Sequence, residues 1–266
     1  MVGRLHSGRV VFRCATGLTI ATMVTFLRIT DIDPERVVQF PPMVEGRFIK
    51  RLNRFAALVD VDKRECLTHV PNSGRMEELL VPGFRVLLIP APEGTTRKTA
   101  FDLALVDIGT TLSSADARLP NKLVAEAIAA GRLPQFAAYP AVRPESTFGE
   151  SRLDFLLEGP AGSCYVETKS VTLVEDGVGL FPDAPTLRGV KHLRSLMAAM
   201  DAGCRAGVIF VIQRDDAEAF APHDTADPLL GATLRAAVAR GVEVWAYRCR
   251  VDERRIELSE SIPVRL

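Results

Sequence analysis

Five apolar residues stand in an unbroken row at Val208, Ile209, Phe210, Val211 and Ile212, and Gln213 ends the run. A strand written this way is apolar on both faces, so it belongs inside a sheet covered on both sides. This segment places the second half of the chain among α/β folds. The flanking pattern agrees. Residues 120–130 read as a helix, with Leu123, Val124, Ala127 and Ile128 on one face, Pro120 in the first turn and Gly131 as the stop. Residues 187–200 read as a second helix, with Val190, Leu193, Leu196, Met197 and Met200 inward. Residues 229–240 read as a third. Strands are expected over 142–148, 151–158, 163–173 and 242–249, the last as the final strand.

The first half has a different grain. Short β-rich runs lie at 44–50, 55–61, 65–70, 84–89 and 101–108. Pro71, Asn72, Ser73 and Gly74 form a turn cluster, and a one-turn helix is expected around 76–80. Five short strands with a small helix between the third and fourth fit a Greek-key barrel of the OB type, although other all-β modules share that pattern. The expected architecture is therefore an α+β, α/β two-domain chain. An OB-like β-barrel covers 41–111 and an α/β domain covers 112–266, after an extension at 1–40 that is expected to be poorly ordered.

That extension carries Arg4, Arg9 and Arg13 before an apolar-leaning run over 18–27. The run is too short to span a bilayer as a helix and lacks a small-x-small cleavage site. No secretory signal and no membrane association are expected, and Met23 or Met43 is an alternative start. The five cysteines include no Cys-x-x-Cys pair. Free thiols in a reducing, cytoplasmic setting are expected, and no zinc site.

Asp154 sits inside the apolar run Leu153 to Leu157, and twelve residues separate it from the triplet Glu167, Thr168 and Lys169. Glu167 and Lys169 are two apart on a strand, so they share a face, while Thr168 points away from it. If the two strands pair as a hairpin, Asp154 can lie beside Glu167. Two carboxylates and a lysine suit a metal-assisted phosphodiesterase, with Mg²⁺ or Mn²⁺ on the hard oxygens of Asp154 and Glu167. The plain alternative is a solvated stripe on an edge strand. A carboxylate flanked by Leu153, Phe155 and Leu156 weighs against it, because such a group needs a partner or a metal.

Gln213 stands where buried strands of open α/β sheets meet ligands. Glu126 lies on the polar side of the first helix and suits a water-mediated metal contact if that helix crosses the site. Arg188, Lys191, His192 and Ser195 fall opposite the apolar stripe of the second helix, either as a solvated face or as a phosphate-contacting one. In the barrel, Arg47, Lys50, Arg51 and Arg54 interleave with Phe48 and Phe55, a pattern suited to nucleic acid. The turn containing Asn72 can face the same groove. Formal net charge is zero, so any such grip must be local. No Gly-rich phosphate loop, Gly-x-Ser-x-Gly elbow or His-Glu-x-x-His is present, which weakens serine-hydrolase and zinc-peptidase readings.

Taken in order, several segments resemble the bacterial and archaeal sugar fermentation stimulation protein A family. They are Pro41-Pro42-Met43-Val44-Glu45-Gly46-Arg47-Phe48-Ile49-Lys50-Arg51, Asn72-Ser73-Gly74-Arg75-Met76, Leu119-Pro120-Asn121, Gly149-Glu150-Ser151-Arg152-Leu153-Asp154, Tyr165-Val166-Glu167-Thr168-Lys169, Phe181-Pro182-Asp183-Ala184, Arg188-Gly189-Val190-Lys191-His192 and Phe210-Val211-Ile212-Gln213-Arg214. The resemblance implies an OB-like domain followed by a PD-(D/E)xK restriction-endonuclease-like domain, and DNA as the partner. It implies catalytic roles for Asp154, Glu167 and Lys169, with Glu126 and Gln213 in support. It also implies a regulatory link to sugar (maltose) metabolism. A non-catalytic DNA-binding regulator on the same scaffold is the alternative, and a homo-oligomer stays open. Thr168 departs from the valine usual in the family and is expected to be harmless, facing away from the metal.

Overall fold

The computed structural model describes residues 38–266 and, in backbone only, 27–28. Most of the expected poorly ordered extension lies outside these residues, as does Cys14. Two short strands are described there. β1 (Leu27–Arg28) joins one edge of the large sheet, and β2 (Val38–Gln39) joins the other.

β3 (Val44–Asn53), β4 (Ala56–Val61), β5 (Arg64–His69), β6 (Arg85–Pro90) and β7 (Phe101–Asp107) form the barrel. β3 pairs with both β4 and β6, and β6 pairs with β7, all antiparallel. The parallel pairing of β5 with β7 through Thr68 and Phe101 closes the ring. Bulges at Phe48/Lys50 and Arg51/Asn53 let the ten-residue β3 bend and serve two neighbours. Asp62 and Lys63 both take positive φ, which suits the two-residue turn between β4 and β5. Phe48, Val59, Val86, Leu88 and Leu103 fill the interior. Met76 and Leu79 pack there from a single turn in which the amides of Leu79 and Leu80 both reach the Met76 carbonyl. The expected one-turn helix is thus a hydrogen-bonded turn.

The second domain opens with β8 (Leu112–Ser114), which pairs with β7, and α1 (Leu119–Ala129). Next come β9 (Ala141–Phe148), β10 (Ser151–Gly159), β11 (Gly162–Val171), β12 (Val174–Glu175), β13 (Val178–Phe181), α2 (Leu187–Asp201), β14 (Arg205–Ile212), β15 (Ala219–Pro222), α3 (Pro228–Ala239), β16 (Glu243–Val251) and β17 (Arg255–Ile262). The main sheet runs β1-β9-β10-β11-β14-β16-β17-β2, parallel only among β11, β14 and β16. β14 is covered on both faces, as its unbroken apolar run requires. Val208, Phe210 and Ile212 meet α2 and α3 through Leu193, Leu196, Leu230 and Leu234. Ile209 and Val211 meet α1 through Leu123, Val124 and Ile128. Leu87, Ala104 and Leu105 of the barrel strands belong to this second core, so the two domains share apolar contact.

Two expectations need correction. β16 is not the final strand, because β17 follows after a charged turn and buries Ile256, Leu258 and Ile262. A small sheet of β12, β13 and β15, unexpected from the sequence, stands beside the main one. Its strands are two to four residues long, too short to show a period. Cys66, Cys164, Cys204 and Cys249 are free thiols, and burial pushes Cys164 up to about 12. No helix among the described residues is long and apolar enough to cross a membrane.

Candidate metal and nucleic-acid site

β10 and β11 pair antiparallel with Phe155 against Val166, a register that sets Asp154 level with Glu167. The hairpin is thus present, but the two carboxylates turn to different partners. In the pairing of β10 with β9, Leu153 faces Ser146 and Phe155 faces Pro144, which leaves Asp154 between them. Glu145, across from it, has φ of 53°. The alternation breaks here, since Leu153 packs in the α2 core and Phe155 in the α1 core. Asp154 consequently leans toward α1. Its Oδ2 accepts from the Thr168 amide at 2.7 Å and lies 2.9 Å from the Thr168 hydroxyl. Its Oδ1 accepts from Asn121 Nδ2 at 2.8 Å.

The expectation that Thr168 is a bystander therefore needs correction. It faces away from Glu167, but that is the side to which Asp154 turns. Its hydroxyl also touches Asn121 Oδ1. From α1, the side chain that reaches Asp154 is Asn121, whereas Glu126 lies further along the helix and is half-buried. Asn121 and Thr168 both escaped the sequence reading as site residues. Asn121 carried one signal, a polar amide in the first turn of α1 directly after Leu119 and Pro120.

Glu167 is 3% exposed. Its Oε1 contacts both Lys169 Nζ and His192 Nδ1. Burial pushes the carboxyl up, but Lys169 and His192 together outweigh burial and hold it below its ordinary value. His192 was expected on the outer face of α2. It is buried instead, because its ring fills the space beside Glu167. Arg188 Nε donates to His192 Nε2 at 3.4 Å, so Nδ1 carries the proton that faces Glu167. Glu167 Oε2 is buried and has no hydrogen-bond partner.

Gln213 is fully buried. Its Nε2 donates to the Asp116 carbonyl at 3.1 Å and to Ser170 Oγ at 2.8 Å, and its Oε1 has no partner. It joins the end of β14 to β11 and to the segment before α1.

A cleft of about 680 Å³ lies between the barrel and these strands. Arg54, Phe55 and residues 72–74 line it from the barrel, and Thr168, Lys169 and Arg188 from the other domain. The cleft wall therefore includes one residue bonded to Asp154 and one bonded to Glu167. Asn72 is nearly buried, and its Oδ1 accepts from the Gly74 amide at 2.9 Å. Arg47, Lys50 and Lys191 are exposed but do not line the cleft, and Lys191 lies 3.5 Å from Glu150. Arg51 needs a further correction. Its Nε, Nη1 and Nη2 reach the backbone carbonyls of Asn53, Gly74, Arg75, Arg54 and Asn72. A guanidinium has five N–H groups, so none is left for a phosphate.

Among the described residues, no group of three or more His, Cys, Asp and Glu side chains is placed to hold a metal ion. Each carboxylate offers hard oxygens to a divalent cation, but Asp154 and Glu167 turn to opposite sides of the hairpin, so one shared ion requires Asp154 to swing back from Asn121 and Thr168. Asp154 keeps an open lone pair on Oδ1, and Glu167 keeps the whole of Oε2, which is buried and unpaired. Both are oxygen donors, as Mg²⁺, Mn²⁺ or Ca²⁺ prefers.

A closed OB barrel whose last strand leads into a mixed sheet carrying Glu167 and Lys169 defines a two-domain class, an OB domain joined to an RE domain. Within that class the chain belongs to the sugar fermentation stimulation protein family. The family model of the SfsA N-terminal OB domain matches residues 49–113. That of the sugar fermentation stimulation protein RE domain matches 118–255. The chain is 44% identical over 229 residues to the sugar fermentation stimulation protein homolog of Desulforamulus reducens, covering 86% of this chain and 95% of that one. It is 46% identical over 223 residues to the homolog of Caldanaerobacter subterraneus, covering 84% and 97%. The structure of Pyrococcus furiosus SfsA in complex with Ca²⁺ superposes with a TM-score of 0.80 at 28% identity, covering 87% of this chain and 99% of that one.

Proposed function

We propose that this chain binds nucleic acid, DNA foremost, and hydrolyses its phosphodiester bonds with Mg²⁺ or Mn²⁺ held by Asp154 and Glu167, as a PD-(D/E)xK-type nuclease. One observation carries the reading. Glu167 is buried and kept ionised by Lys169 and His192, while its second oxygen remains open behind the wall of a cleft. A buried carboxylate oxygen without a partner is costly unless something binds it. The related Pyrococcus furiosus protein was solved in complex with Ca²⁺, which supports a divalent cation as the ligand here.

In this reading Asp154 swings back from Asn121 and Thr168 toward the shared ion, and His192 orients Glu167. Lys169 lines the cleft, and its ammonium beside Glu167 can steady charge growing on a phosphate. Arg54 and Arg188 flank the cleft as phosphate partners. A bound divalent cation would supply Lewis-acid polarisation of the phosphate and a lowered pKa for an attacking water.

Incubation of the purified chain with single- and double-stranded DNA and RNA, in Mg²⁺, Mn²⁺ or EDTA, tests this. Cleavage should require the metal and fall at least ~100-fold in Asp154→Ala and Lys169→Ala. Identical, metal-independent traces for wild type and variants on every substrate would end the proposal. A second reading, a non-catalytic DNA-binding regulator, draws on one feature. Lys169 is engaged with Glu167, so its ammonium already has a partner. That reading expects salt-sensitive binding without cleavage, preserved in Lys169→Ala and weakened in Arg54→Ala.

A further inference from the structure

We infer that the cleft takes an unpaired nucleotide segment, with Phe55 and Leu187 as its contacts to the bases. The inference rests on the nucleic-acid reading above and narrows its substrate class. Phe55 is 49% exposed and Leu187 is 79% exposed, and both line the cleft, one from the barrel and one from the start of α2. Each has an arginine beside it in sequence that also lines the cleft, Arg54 next to Phe55 and Arg188 next to Leu187. An apolar surface paired with a cation on both walls complements a nucleotide, which joins a flat base to an anionic phosphate.

The two apolar residues are held in place, though they face outward. The Phe55 amide donates to Asn53 Oδ1 at 2.9 Å, and the Phe55 carbonyl accepts from the Val70 amide at 2.9 Å. Arg51 fixes the neighbouring Arg54 carbonyl at 2.6 Å. Leu187 is the first residue of α2, directly after Thr186, whose side chain caps the helix by accepting from the Gly189 amide at 3.0 Å. Large exposed apolar side chains carried on a fixed backbone present a defined surface to a partner. Size selects the partner. A space of about 680 Å³ is the scale of a small-molecule site. A strand with splayed bases can seat single nucleotides in such a space.

Fluorescence anisotropy on the full chain tests this, with Ca²⁺ in the buffer. The probes are a labelled 20-nucleotide single strand, the same sequence as a blunt duplex, and that duplex with an unpaired tail. The single strand and the tailed duplex should bind roughly tenfold tighter than the blunt duplex. Phe55→Ala and Leu187→Ala should each cut that preference roughly fivefold or more, and Phe55→Trp should retain it. A 2-aminopurine in the unpaired segment should lose fluorescence on binding wild type and keep it on binding Phe55→Ala. Equal binding of blunt duplex and single strand, or an unchanged preference in both alanine variants, overturns the inference and leaves the nuclease reading standing. No binding to any probe overturns both.

Discussion

Arg51 illustrates how a single residue can carry a charge that recognition cannot use. All five of its N–H groups point at backbone carbonyls of the turn between β3 and β4 and of residues 72–75. Lysine has three donors and no fork, so Arg51→Lys keeps the charge but abandons at least two of these carbonyls. We expect a loss of about 1–2 kcal/mol in urea denaturation, with little change in the salt dependence of nucleic-acid binding. A stable variant with weakened binding would restore Arg51 to the phosphate contacts. The Asp154 cluster permits a similar separation. Asn121 provides the amide to Oδ1, while Oδ2 keeps the Thr168 N–H even if the hydroxyl is removed. Asn121→Ala should therefore cost about 1–2 kcal/mol, and Thr168→Val less than about 1 kcal/mol, by the same denaturation. The reverse order would show that the hydroxyl holds Asp154. The sequence made Asp154, Glu167 and Lys169 legible because an acid in an apolar run and a Glu-x-Lys triplet are visible as pattern. Asn121 and Thr168 were not, because their roles depend on a break in strand alternation that no spacing rule reveals. His192 was misplaced because helical periodicity places a polar residue outward by default, and only Glu167 gives it a reason to turn in.

Among the elements, β14 was the most legible, since five apolar residues in a row require two covered faces and both are covered. β17 was overlooked although Ile256 and Leu258 alternate, because four charged residues precede its first apolar position. The turn at 76–80 was legible as punctuation, but its hold on β11 was not. Glu78 Oε1 accepts from the hydroxyl of Thr172, just past the end of β11, at 3.0 Å. Burial pushes the Glu78 carboxyl up from its ordinary value, and Asp183 adds to the rise. The folded chain thus binds this proton more tightly than the unfolded one. The stability associated with it is complete below the unfolded carboxyl value of about 4.3 and is lost as pH rises through the folded value. Glu78→Gln has no charge to bury and keeps an acceptor for Thr172. Its melting temperature should exceed that of wild type at pH 7 and lose this advantage by pH 4. Parallel wild-type and variant curves across that range would place the carboxylate in contact with solvent or a cation.

At the scale of the whole molecule, the seam between the domains is built like an interior. Leu87, Ala104 and Leu105 of the barrel pack in one core with Leu123, Val124 and Ile128 of α1. Polar ties cross the same boundary. The Met76 amide donates to Asp183 Oδ2 at 3.0 Å. Arg85 Nη2 lies 2.7 Å from Glu253 Oε1. Gly74 sits so close to Asp183 that an added Cβ would fall 2.6 Å from Oδ2. Domains joined only by a linker unfold independently, whereas domains that share buried apolar surface tend to unfold together. The full chain should therefore melt in one transition. Fluorescence of Trp245, the single tryptophan, reports on β16, and far-UV circular dichroism reports on barrel and sheet together. Their denaturant curves should coincide. A fragment beginning at residue 114 would lose Leu87, Ala104 and Leu105 as cover for α1. It should bind a hydrophobic dye and unfold at a lower denaturant midpoint than the intact chain. Two separate transitions, or a fragment as stable as the whole, would make the seam a hinge. The cleft containing Lys169 would then vary in width as the barrel moved, rather than present the fixed walls on which Arg54, Phe55, Leu187 and Arg188 face one another.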